Sequence, residues 1–233
     1  MKYENGINHS PFFYVLVGYK ALLNLTEFFV ENTVKTEKVS FTDRMRSLFK
    51  WAVDPIGAFL NRIGLTPNTM TMLGLVGNIV AAFFLAKGDM LWGGLIVLVM
   101  WPIDALDGTM ARLRGEPTDF GGFVDSVTDR YSELVIFAGL LYHFLGQNNT
   151  LAAMLVFASA SGSILVSYTR AKAEALDFDA KIGALTRVER YLVLAPGLIF
   201  NFPVIAMWII AILANFTALQ RIWYVRRQAH KHF

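Results

Sequence analysis

Four aspartates, Asp104, Asp107, Asp125 and Asp129, lie in or beside two long apolar runs. An unpaired charge in a hydrocarbon environment costs about 2.5 to 3.5 kcal/mol even on the mildest insertion scales, so each needs a compensating partner. If the first run is helical, at about 100° per residue, Asp104, Asp107, Gly108, Ala111 and Arg112 fall within one arc. In the second run Gly121, Asp125 and Asp129 stack at i, i+4 and i+8. Two such faces turned toward each other place four carboxylates around one small volume, with the glycines leaving room for a ligand near the backbone. Hard divalent cations are the natural fill of an all-oxygen site. The competing reading is a solvated loop between two helices. It accounts for any single aspartate but poorly for all of them in register with Gly108 and Gly121.

The chain is 233 residues long, 55% hydrophobic and only 17% charged, with a mean hydropathy of +0.46. That balance belongs to a membrane protein rather than a soluble domain. Cysteine is absent, which excludes disulfides, thiolate metal ligands and a cysteine nucleophile. The formal net charge of +3 is slight, so the placement of charge matters more than its total, and no nucleic-acid partner is expected. No cleavable signal peptide is expected either, because residues 1–10 are polar and the apolar run after them has no small-residue cleavage pattern.

The segmentation predicts an all-α polytopic membrane protein with six transmembrane helices preceded by an interfacial amphipathic helix. Residues 1–40 read as an N-terminal extension, containing an apolar segment at 11–30 and a polar linker. Over residues 41–64, Met45, Leu48, Phe49, Ala52, Ile56, Phe59, Leu60 and Ile63 recur at helical spacing against a basic face. Such a helix suits a membrane surface with anionic lipids, with a kink near Pro55. The six spans fall in residues 65–225, at 69–86, 90–114, 121–145, 151–168, 191–202 and 204–224, and residues 226–233 form a basic tail. Lys87 stands almost alone on one side of this arrangement. Arg112, Arg114, Arg170, Lys172, Lys181, Arg187, Arg190, Arg226 and Arg227 fall on the other. By the positive-inside rule both termini and the acidic cluster face the cytoplasm at the cell membrane.

The spacing D-x2-D-G-x2-A-R-x8-G-x3-D-x3-D is met at every fixed position between Asp104 and Asp129. It resembles the signature of the CDP-alcohol phosphatidyltransferase family, integral membrane enzymes of phospholipid head-group synthesis. The resemblance implies that Asp104, Asp107, Asp125 and Asp129 bind divalent metal, Mg2+ or Mn2+, with two ions per site. It also implies that Asp129 is the general base and that Gly108, Ala111, Arg112 and Gly121 line the CDP end of a CDP-diacylglycerol substrate. CMP would be the leaving group, and a homodimer is the expected assembly.

The acceptor is read from a second set of charges. Arg170 and Lys172 end the fourth span, and Arg187 and Arg190 begin the fifth, so cations from two helices could converge beside the acids. A basic pocket there suits an acceptor that carries its own phosphate; the alternative is that these residues only set topology. The stretches SYTRAKAEAL and RVER resemble those of the subgroup that uses inositol phosphate, although Arg170 and Lys172 stand in the reverse of that subgroup's order. The implied reaction transfers the phosphatidyl group to inositol phosphate. Glycerol 3-phosphate, inositol and serine are alternative acceptors, and a divalent-cation transporter is the alternative of another class. Glu133 continues the acidic face by one turn, as a second layer behind the site or as a helix-packing partner. The four histidines do not cluster with the acids.

Overall fold

The computed structural model describes residues 53–115 and 118–230, apart from the side chains of Asp104 and Ala105. The expected N-terminal extension, the amphipathic helix before residue 53 and the last three residues of the tail lie outside the described residues. Those described belong to one unit, Val39–Phe233, and are helical with no strand among them. After a helical segment at residues 53–62 come α1 (Pro67–Lys87), α2 (Met90–Arg114), α3 (Asp119–Gly146), α4 (Thr150–Glu174), α5 (Arg187–Ile199) and α6 (Pro203–Ala229).

Local chemistry sets the helix starts. The Thr66 hydroxyl accepts from the Thr69 N–H at 3.3 Å, with Pro67 following at the first helical position. Thr118 caps α3 by accepting from Gly121 N–H at 3.0 Å, and Asn149 caps α4 by accepting from Ala152 N–H at 3.1 Å. Pro102 sits inside α2 two residues before Asp104. It removes one backbone donor beside the acidic face.

Four of the helices, α1, α2, α4 and α6, are long and apolar enough to cross a membrane. Even the 21-residue α1 is about 31 Å long at the helical rise, enough for a bilayer core. The other two expected spans are present as helices of different character. Helix α3 has 28 residues with its acids between Asp119 and Glu133, and α5 has only 13. Several boundaries differ from expectation: α6 runs on to Ala229, so Arg226 and Arg227 of the expected tail belong to the helix, and α5 ends at Ile199. Helix α4 continues to Glu174, and α5 begins at Arg187 instead of Tyr191, so all four expected acceptor cations lie on helices and take fixed angular positions.

Helix α1 packs against α2 and α3, α2 against α5, α3 against α4, and α6 against both α4 and α5. In lipid there is no hydrophobic force between helices, so close van der Waals approach carries the packing. At the α1–α3 crossing a Cβ on Gly139 would lie 2.4 Å from the Ala82 carbonyl oxygen. Only glycine fits there. The main core is built around Leu85, Phe137, Leu140, Leu198, Met207 and Ile210. Outward-facing Phe83, Trp92, Val99, Phe157 and Ile212 give the unit the apolar exterior of a protein surrounded by lipid. A smaller cluster of Met70, Leu106 and Met110 takes up Val53, Leu60 and Leu65, joining the amphipathic segment to the ends of α1 and α2 that frame the acids.

Candidate active site

A cavity of about 350 Å³ opens between the start of α1, the end of α2 and the start of α3. Asp107, Gly108, Ala111, Arg112, Gly121 and Asp125 all line it, so the two helical arcs are turned toward one space. Asp107 is buried and held from two directions. Its Oδ2 accepts from the Thr71 hydroxyl at 2.6 Å, and its Oδ1 accepts from the Gly108 N–H at 2.5 Å. Arg112 donates to the Thr109 hydroxyl at 2.8 Å and lies over Gly108, where a Cβ would stand 3.5 Å from its Nη1. Asp104 is on α2, but its side chain lies outside the described residues.

Asp129 is one turn further along α3 and outside the cavity lining. It follows Asp125 by four residues on α3, so the two acids share one face of that helix. The Arg187 Nη1 donates to Asp129 Oδ2 at 2.5 Å, and Arg130 approaches the same oxygen at 3.7 Å. One turn on, Arg190 donates Nε to Glu133 Oε1 at 2.7 Å and Nη2 to Oε2 at 3.2 Å, with both residues buried. Glu133 is thus the partner that joins α3 to α5. Of the other two expected acceptor cations, Arg170 is exposed and pairs with Glu174 on its own helix at 2.9 Å. Lys172 is exposed on that same helix.

Residues 64–219 match the family model for CDP-alcohol phosphatidyltransferase. The chain belongs to that family. It is 35% identical over 201 residues to the phosphatidylinositol phosphate synthase of Streptomyces avermitilis, covering 79% of this chain and 82% of that protein. Crystal structures of the Mycobacterium tuberculosis phosphatidylinositol phosphate synthase match at 29% identity. With CDP-DAG bound, the TM-score is 0.69, over 74% of this chain and 92% of that one. With manganese and citrate, it is 0.70, over 74% and 88%.

The chain is therefore an enzyme and a multi-pass membrane protein, and the transporter reading is set aside. Several residues of this phosphatidyltransferase site carry no obvious sequence signal. Thr66, Asn68, Thr71 and Arg114 also line the cavity; all but Arg114 come from a segment that reads as a helix break and an ordinary apolar run. Arg221 is buried in α6, donates to Ile182 O at 2.8 Å and Val166 O at 2.5 Å, and lies within electrostatic reach of Arg170 and Arg190. An arginine inside the last apolar run was the available clue. The donor set facing the cavity is carboxylate and hydroxyl oxygen with no nitrogen or sulfur ligand, which fits Mg2+ or Mn2+. Among the described residues no three acidic or histidine side chains form a closed metal group; the Asp104 side chain is not among them.

Proposed function

We propose that this enzyme transfers the phosphatidyl group of CDP-diacylglycerol to a hydroxyl of inositol phosphate and releases CMP. The supporting observation is the adjacency of two unlike surfaces. The Asp107 and Asp125 cavity suits a metal-bound pyrophosphate, and one turn along α3 the Arg187 guanidinium meets Asp129, with Arg190 buried behind it on Glu133. The names of the similar enzymes point to the same acceptor.

In the proposed reaction the acceptor oxygen bonds to the phosphatidyl phosphorus, the bond from that phosphorus to the CMP oxygen breaks, and the hydroxyl proton passes to Asp129. Asp104, Asp107, Asp125 and Asp129 would hold two Mg2+ or Mn2+ ions, which when bound neutralise the phosphate oxygens. Thr71 orients Asp107. Gly108, Ala111 and Gly121 leave space for the nucleotide, and Arg112 meets a phosphate. Arg170, Lys172, Arg187 and Arg190 receive the acceptor phosphate. The same reading takes α3 and α5 as the remaining two spans, residues 41–64 as an interfacial helix, the active site as cytoplasmic, and the enzyme as a homodimer.

Membranes containing the protein, given labelled CDP-diacylglycerol and Mg2+ or Mn2+ with a panel of acceptors, test this. Product with inositol phosphate, and little with inositol, serine or glycerol 3-phosphate, is expected. Product with glycerol 3-phosphate alone would overturn the acceptor assignment and leave the chemistry intact.

A further inference from the structure

The amphipathic segment at residues 53–62 ends in a turn that reaches the cavity. Leu65 N–H donates to Leu60 O and Gly64 N–H to Asn61 O, both at 3.2 Å, with Gly64 at φ +88°. This is the Schellman arrangement, in which a left-handed residue closes a helix. Two residues later α1 begins, so the cavity wall made by Thr66, Pro67 and Asn68 is continuous with the turn. Arg114, the last residue of α2, holds both pieces. Its Nε donates to Asn61 Oδ1 at 2.7 Å and its Nη2 to Leu65 O at 2.5 Å. Asn61 completes the ring by donating Nδ2 to Met110 O at 3.1 Å. Below it Gly57 sits against Thr109, where a Cβ would come within 3.3 Å of Cγ2. Arg114 also lines the cavity.

We propose that Arg114, held by Asn61, is a positioning residue for the nucleotide end of the lipid substrate. It sets the distance between the wall of Thr66 and Asn68 and the wall of Gly108 and Arg112, so that a CDP-lipid meets both at once. This deepens the reading above and rests on it in taking a CDP-lipid as the occupant. The acceptor cations lie on α4 and α5, so loss of the strap falls on one substrate only.

Purified Asn61→Leu and Arg114→Gln are assayed with CDP-diacylglycerol and acceptor varied independently, and for equilibrium binding of CMP alone. The CMP dissociation constant and the KM for CDP-diacylglycerol are expected to rise about tenfold, the scale of one charge-assisted hydrogen bond. The acceptor KM should change by less than about twofold. Asn61→Asp keeps the oxygen that accepts from Arg114 but loses the bond to Met110 O, and should recover part of the CMP affinity. Should Asn61→Leu fail to fold, Asn61→Ser set against Asn61→Asp carries the same comparison. Unchanged CMP binding, or equal rises in both Michaelis constants without recovery in Asn61→Asp, overturns the proposal. Failure of the unmodified enzyme to bind CMP overturns the underlying reading instead.

Discussion

Arg190 grips both carboxylate oxygens of Glu133 in the interior of the bundle, with side chains only 2% and 9% exposed. The acids at i and i+4 of α3 meet arginines at i and i+3 of α5, so one stretch of each helix carries both pairs. Breaking a buried pair leaves a charge with no compensation. Glu133→Gln is therefore expected to destabilise the enzyme by about 3 kcal/mol, visible as a lower Tm in detergent. The control is Glu174→Gln, which breaks the exposed pair with Arg170. Its effect should stay under about 0.5 kcal/mol.

Asp129→Asn keeps the shape of the proposed base and removes its ability to take a proton. Turnover should fall by about 100-fold to 10,000-fold, while Mn2+ binding followed by electron paramagnetic resonance is only partly weakened. Retained turnover would remove Asp129 from the proton-accepting role.

Thr71 reaches Asp107 from another helix, and its hydroxyl fixes one carboxylate oxygen at 2.6 Å. Thr71→Val removes that donor at nearly constant volume. The metal concentration needed for half-maximal activity should rise about tenfold or more, with activity restored by excess metal and with Thr71→Ser close to the unmodified enzyme. A Thr71→Val enzyme whose metal titration is unchanged would show that Asp107 needs no such support.

Gly139→Ala drives a methyl group to 2.4 Å from the Ala82 carbonyl. Backbone cannot yield as a side-chain tip can, so a loss of about 1 to 3 kcal/mol is expected, again read as Tm. Gly146, on the same helix with open space around its Cβ direction, provides the comparison. Gly146→Ala should be neutral or slightly stabilising.

Much of this architecture was legible in the chain because its signals are local. The first span was expected at 69–86 and is found at Pro67–Lys87, since apolar run length is read directly from neighbours in sequence. The grouping of the cavity-lining residues was legible for the same reason, as helical periodicity puts Asp107, Gly108, Ala111 and Arg112 on one face of α2 and Gly121 and Asp125 on one face of α3. The partners were not. Thr71 lies 36 residues from Asp107, Asn61 53 from Arg114, and Glu133 57 from Arg190. Helix crossings decide those meetings, and periodicity within one helix says nothing about where another helix crosses it. The character of α3 shows the same limit. It reads as a span from its apolar second half, yet Asp129 and Glu133 near its middle are taken up by arginines of α5.

The segment between α4 and α5 has no regular structure, yet its course is set by one side of α6. Leu185 N–H donates to the Thr217 hydroxyl, Arg221 holds Ile182 O, and Gln228 exchanges hydrogen bonds with the Asp179 backbone. During synthesis, then, the ribosome must deliver α6 before the preceding turns can settle onto their template. The loop that leads from α4 to the arginines of α5 is therefore among the last parts of this enzyme to take its place.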